Sequence, residues 1–161
     1  MSDYILDRNL TIEAVRVAEA AAIAAHRLIG LGDEKAADQV AVDAMRKALN
    51  ELEMDGQVVI GEGERDEAPM LYIGEKVGSG KGQKIDIALD PLEGTTLTAT
   101  GGNNALAVIA FSTEGGLLNA PDTYMDKIAV GGGLPNGVID LDADPGDNIR
   151  ELAKAKSCSP S

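Results

Sequence analysis

The fold is read from Ile85-Asp86-Ile87-Ala88-Leu89-Asp90-Pro91-Leu92-Glu93-Gly94-Thr95. Apolar side chains alternate with others up to Leu89, the period of a strand that buries one face. Lys84 to Leu89 is therefore predicted as a strand that delivers Asp90 to its end. Pro91 lacks an N–H and has a fixed φ. Asp90-Pro91-Leu92-Glu93 thus reads as a turn that lets Asp90, a backbone carbonyl and Glu93 face one point. If Gly94-Thr95 opens a short helix over Thr95 to Thr100, its free N–H groups suit a phosphate, and the Thr95 hydroxyl can orient a water. Hard divalent cations take oxygen ligands of this kind.

A second acidic knot lies upstream. Gly61-Glu62-Gly63-Glu64-Arg65-Asp66-Glu67 follows another short apolar run, Gln57-Val58-Val59-Ile60. Glu62 and Glu64 are two apart, so on extended backbone they point to one side, where their repulsion favours a cation between them. Taken singly, each knot reads as well as a plain turn or a solvated acidic loop. Each knot follows a short strand, and together they point to a metal-assisted phosphatase site where the two meet.

Upstream of both knots the pattern is helical. Thr11 to Ile29 is predicted as a helix with Thr11 as N-cap and Gly30 as its stop. Ala14, Val15, Ala18, Ala21, Ala22, Ala25, Leu28 and Ile29 form its apolar face, and His26, the only histidine, falls on the solvated one. After a turn at Gly30 to Asp33, a second helix is predicted over Lys35 to Met54, with Ala37, Ala41, Ala44, Met45, Ala48, Leu49 and Leu52 inward. Asp38 lies in its first turn, where an acid ordinarily serves the helix dipole. Asp55-Gly56 reads as a turn, and Val77 to Gly82 as a hairpin connection. Ala105 to Ser112 is predicted as a strand, Leu117-Leu118 as the start of another, residues 120–140 as short strands and turns, and Asp147 to Ala153 as a helix. Helices, then strands, then a helix predict an α+β or layered αβα class in one domain over residues 1–161.

Composition narrows the function classes. The 161 residues are 44% hydrophobic but only 2% aromatic, so Ala, Val, Ile, Leu and Met must build the core. With 27 acidic against 14 basic residues the net charge is −13, which argues against a nucleic-acid partner. An anionic substrate can still bind where cations lie between it and the acids. One cysteine, Cys158, rules out a disulfide within the chain and fits a reducing, cytoplasmic setting. The N-terminus carries no signal-peptide pattern, and the Ala20 to Ala25 run is too short to span a membrane.

The run Ile60 to Glu75, together with Asp90-Pro91-Leu92-Glu93-Gly94-Thr95, closely resembles class II fructose-1,6-bisphosphatases of the GlpX type. Asn104 to Val108 and Asn119 to Met125 extend the resemblance, which covers about residues 10–155. It implies the layered αβαβα fold of the lithium-sensitive sugar phosphatases (the inositol monophosphatase-like fold), of which this chain is similar to the N-terminal portion. It also implies Mg²⁺- or Mn²⁺-dependent hydrolysis of the 1-phosphate of fructose 1,6-bisphosphate, a gluconeogenic reaction. Some members also take sedoheptulose 1,7-bisphosphate. The protein would work as a cytoplasmic homo-oligomer on a small sugar bisphosphate. Carried over by motif, Asp38 and Glu62 resemble ligands of one metal, and Asp90 and Glu93 ligands of another. Asp66 and Thr95 resemble the pair that positions the attacking water, and Glu93, Gly94, Thr95 and Tyr124 the substrate contacts. The family's catalytic lysine follows Gly-Asp directly, whereas this chain reads Gly32-Asp33-Glu34-Lys35, which makes Lys35 the candidate one place later.

Family members are about twice as long as this chain. Two other readings follow: a catalytically inactive half-chain that keeps residual metal binding, and an acidic interaction domain with no catalysis. Loss of turnover alongside retained Mn²⁺ binding distinguishes the first. Indifference to Glu62→Gln and Asp90→Asn distinguishes the second.

Overall fold

The computed structural model describes residues 8–62, 70–118 and 125–160. The chain forms two compact units, residues 1–121 and 122–161. The first contains helices α1 (Arg8–His26), α2 (Glu34–Asn50) and α3 (Thr95–Thr100), and strands β1 (Met54–Ile60), β2 (Lys76–Val77), β3 (Gln83–Glu93) and β4 (Leu106–Thr113). The strands make one mixed sheet in the order β2-β1-β3-β4. β1 and β3 are parallel, while β2 and β4 are antiparallel to their neighbours. The class is mixed α/β, as the order of elements predicts.

Strict alternation on β3 puts Ile85, Ile87 and Leu89 on the buried face, beside Met54 and Val58 of β1. α1 and α2 cover that face. Ala37, Ala41, Val42, Met45 and Leu49 of α2 are buried at helical spacing, with Val17, Ala21 and Ala25 of α1 packed into the same core.

Several expected boundaries shift. α1 starts at Arg8 rather than after a Thr11 cap, because Leu10 already packs against the core and Thr11 is an exposed interior position. Its buried stripe runs through Val17, while Val15 is 55% exposed. It stops at His26, and Gly30 N–H donates to the Thr98 carbonyl at 2.9 Å. α2 begins one residue earlier than predicted because Asp33 caps it, its side chain accepting from Ala36 N–H at 2.9 Å. It ends at Asn50, and Met54 opens β1. Asp55-Gly56 is strand, not turn: Gly56 pairs with Val77 on one side and Ile85 on the other, and it is buried. Residues 78–82 are not a hairpin, since β2 and β3 lie on opposite sides of β1. The connection is tied down by Ser79 N–H to the Leu52 carbonyl (2.9 Å) and Gly80 N–H to the Met54 carbonyl (3.1 Å).

Leu117-Leu118 and the described part of residues 120–140 contain no strand. Within the second unit, α4 (Pro145–Ala155) is capped by Asp144, whose side chain accepts from Gly146 N–H at 2.8 Å. Buried Asn148 binds the backbone of Asp140 twice, accepting from its N–H (2.9 Å) and donating to its carbonyl (2.8 Å). No described helix is long and apolar enough to cross a membrane.

Candidate metal and phosphate site

Because β1 and β3 are parallel neighbours, the residues that follow them emerge at the same end of the sheet. Ligands of α/β sheets gather at the carboxyl ends of parallel strands. Glu62 follows β1 by two residues, and Asp90 lies near the end of β3. Asp38, in the second turn of α2, completes the group.

The expected turn at Asp90-Pro91-Leu92-Glu93 is instead the bulged end of β3. Asp90 pairs with Val108 and Glu93 with Leu106, so two residues on β3 oppose one on β4. Proline cannot donate to the ladder, and a bulge is where a strand tolerates it. Pro91 and Leu92 are both buried, which breaks the alternation. Asp90 turns back to accept the Leu92 N–H at 3.0 Å, and Glu93 is exposed. Gly94 then takes φ +91°, a conformation that favours glycine. It opens α3 over Thr95 to Thr100, the predicted span, with Thr95 half-buried at its first position.

Four carboxylates feel one another here. The Glu62 carboxyl is pushed up to about 7, first by burial and then by the charges of Asp38 and Asp90. Asp90 is raised by burial and by the neighbouring Glu93 carboxyl, against the pull of the Leu92 N–H. Asp38 is raised by burial. Asp38 Oδ1 and Glu62 Oε2 are buried and have no hydrogen-bond partner among the described residues. When ionised, the facing carboxylates only accept, so no hydrogen bond forms between them unless one holds a proton.

An all-carboxylate oxygen set with orphaned buried oxygens fits a hard divalent cation. Among the described residues no group of three or more such side chains is arranged to hold a metal ion as it stands. The fit therefore rests on the orphaned oxygens and the carboxylate pairs. Of the other predicted residues, Asp66 and Tyr124 lie outside the described residues. Lys35 is exposed in the first turn of α2 and makes no ion pair among the described residues.

The sequence matches the family described as bacterial fructose-1,6-bisphosphatase, glpX-encoded, over residues 8–161. The chain belongs to this GlpX family. It is 56% identical over 148 residues to fructose-1,6-bisphosphatase 1 class 2 of Escherichia coli K12 and 52% identical to the Haemophilus influenzae class 2 enzyme. A Prochlorococcus marinus relative, 51% identical, is named D-fructose 1,6-bisphosphatase class 2/sedoheptulose 1,7-bisphosphatase. Each match covers 92% of this chain and 44% of the relative, so the chain spans about half the length of the GlpX proteins it matches.

One residue near the site gave no sequence signal. Arg46 of α2 binds Glu75, and with the partners 29 positions apart no local spacing could reveal the pair.

Proposed function

We propose that this chain carries the carboxylate side of a site that hydrolyses the 1-phosphate of fructose 1,6-bisphosphate, giving fructose 6-phosphate and phosphate. The observation that carries the reading is the meeting of Glu62 and Asp90 at the ends of adjacent parallel strands, with Asp38 beside them and two buried oxygens unpartnered. Asp38 and Glu62 would hold one Mg²⁺ or Mn²⁺, and Asp90 and Glu93 a second. Such cations supply water activation and neutralise phosphoryl oxygens when bound.

The chain's own residues then do the rest. The Thr95 hydroxyl, with Asp66, would position the attacking water. Glu93, Gly94, Thr95 and Tyr124 would contact the sugar phosphate, and Lys35 would serve as the catalytic lysine. Gly94 supports this role because its left-handed backbone turns the chain from strand to helix with no side chain in the way. Names of the cyanobacterial relatives support sedoheptulose 1,7-bisphosphate as a second substrate. The layered αβαβα arrangement, with residues 1–161 as its N-terminal portion, belongs to the same proposal.

Phosphate release from fructose 1,6-bisphosphate should require Mg²⁺ or Mn²⁺ and stop on chelation. It should fall on the order of 10²-fold or more in Asp90→Asn, which removes a ligand charge. Release that survives chelation, or that Asp90→Asn leaves unaltered, refutes the reading.

A further inference from the structure

The segment from Met70 to Glu75 is fastened to α2 through Arg46 and to β1 through its backbone. Arg46 lies about two helical turns after Asp38 on α2. Its Nε donates to Glu75 Oε1 at 2.7 Å and its Nη2 to Glu75 Oε2 at 3.2 Å, a two-point grip on one carboxylate. Nη2 also donates to the Met70 carbonyl. The Tyr72 N–H donates to Glu75 Oε2 at 3.3 Å. Glu75 is buried, and Arg46 half-buried.

The same segment holds the backbone of the site. Glu62 N–H donates to the Leu71 carbonyl at 3.2 Å, and Leu71 is fully buried. A Cβ on Gly61 would stand 2.4 Å from that carbonyl oxygen, so the segment passes directly against the residue before Glu62. Gly74 N–H donates to the Val58 carbonyl (2.7 Å), and Val58 N–H to the Glu75 carbonyl (2.9 Å), which bind the segment's far end to β1. Leu71, which holds Glu62, therefore sits between Met70 and Tyr72, the two residues whose backbone the Arg46–Glu75 pair engages.

We propose that Arg46, gripping Glu75, is a positioning residue for Glu62: it clamps Met70 to Glu75 so that the Leu71 carbonyl fixes the Glu62 backbone and with it the aim of the carboxylate. The proposal rests on the cation-site reading above. A buried ion pair contributes little net stability compared with apolar residues of similar volume, yet removing one partner leaves a buried charge uncompensated. Its worth here lies in direction. A planar guanidinium serves a carboxylate and a carbonyl at once, which a lysine ammonium or an apolar pair cannot reproduce.

The test is amide hydrogen exchange of the metal-free chain, followed by calorimetric titration with Mn²⁺. The variants are Arg46→Lys and the charge-balanced double variant Arg46→Met with Glu75→Leu. In the double variant, Glu62 N–H exchange should accelerate by about tenfold or more relative to the unaltered chain, while buried α2 and β3 amides keep their rates. Mn²⁺ affinity should weaken by about 10- to 100-fold, the usual effect of losing an outer partner of a ligand. Arg46→Lys should fall between. A folded double variant with unaltered Glu62 exchange and Mn²⁺ affinity overturns the proposal. Should the double variant fail to fold, Arg46→Lys decides by the same two readouts. An unaltered chain that binds no Mn²⁺ overturns the cation-site reading instead, and acceleration at Glu62 then still decides the clamp.

Discussion

Glu62→Gln should stabilise the metal-free protein at alkaline pH. In the unfolded chain Glu62 ionises near its ordinary 4.5, and in the folded chain near about 7. Below 4.5 both states carry the proton, and the group contributes nothing to pH dependence. Between 4.5 and about 7 the folded state binds more protons than the unfolded, so stability falls as pH rises through that window. Above about 7 the loss is complete and constant. Full linkage would set it at about 3 kcal/mol. Glu62 is only half-buried, so solvent screening reduces it to roughly 1–2 kcal/mol.

Glutamine keeps the shape and removes the charge. Urea melts in the presence of a chelator should therefore place Glu62→Gln about 1–2 kcal/mol above the unaltered chain at pH 8, with the gap closing toward pH 4.5. In thermal melts this is a Tm rise of about 2–6 °C. The same substitution should abolish stabilisation by Mn²⁺, which in the unaltered chain reaches about 2.7 kcal/mol at a hundredfold excess over Kd. Because a cation takes the ionised carboxylate, Mn²⁺ affinity should climb with pH through the same window and level off above about 7. A Glu62→Gln variant that is less stable at pH 8, or whose advantage does not shrink on acidification, refutes the reasoning.

Other substitutions test the frame. Gly94→Ala forces a side chain into φ +91° with its Cβ 3.0 Å from Leu97 Cδ1, and should lower the urea-derived stability by about 1–2 kcal/mol. Met45→Ala, at a fully buried α2 position, should lose about 2–5 kcal/mol in the same assay. Asp33→Ala removes the α2 cap and should lose about 1 kcal/mol, with the change confined to α2 amides in hydrogen exchange. Leu106 and Val108 are 59% and 50% exposed on the edge strand β4, so the chain should bind a hydrophobic dye, and Leu106→Lys with Val108→Lys should reduce the signal.

What could be read from the chain was local. The alternation from Ile85 to Leu89, the acid after it, the span of α3 and the inward stripe of α2 all follow from short-range periodicity, and the structure has them. What could not be read depended on partners distant in the chain. Gly56 looks like a turn until β2 and β3 close on both sides of it. Residues 78–82 look like a hairpin until β1 is found between β2 and β3. Val17 rather than Val15 faces the core because the sheet, not the helix, chooses the rotation of α1. At the candidate site, the motifs single out the acids as candidates, while the bulge at Pro91 depends on β4 register.

The parallel pairing of β1 and β3 explains why the acids are tolerated at all. Each carboxylate is delivered by backbone that is committed elsewhere: Asp38 by a helix anchored through Ala37 and Ala41, Asp90 by a strand anchored through Ile87 and Leu89. The buried core fixes these positions regardless of charge, so the repulsion among Asp38, Glu62 and Asp90 cannot relax by moving the groups apart. Burial first, and for Glu62 and Asp90 also the neighbouring carboxyls, raises the proton affinity of the metal-free chain. A divalent cation bound here would neutralise several of these oxygens at once. On the cation-site proposal, the carboxylate charge that lowers stability at alkaline pH is the same charge that would bind a cation, so the two should move together. A variant that relieves the first without weakening the second would separate them, and Glu62→Gln is expected to change both together.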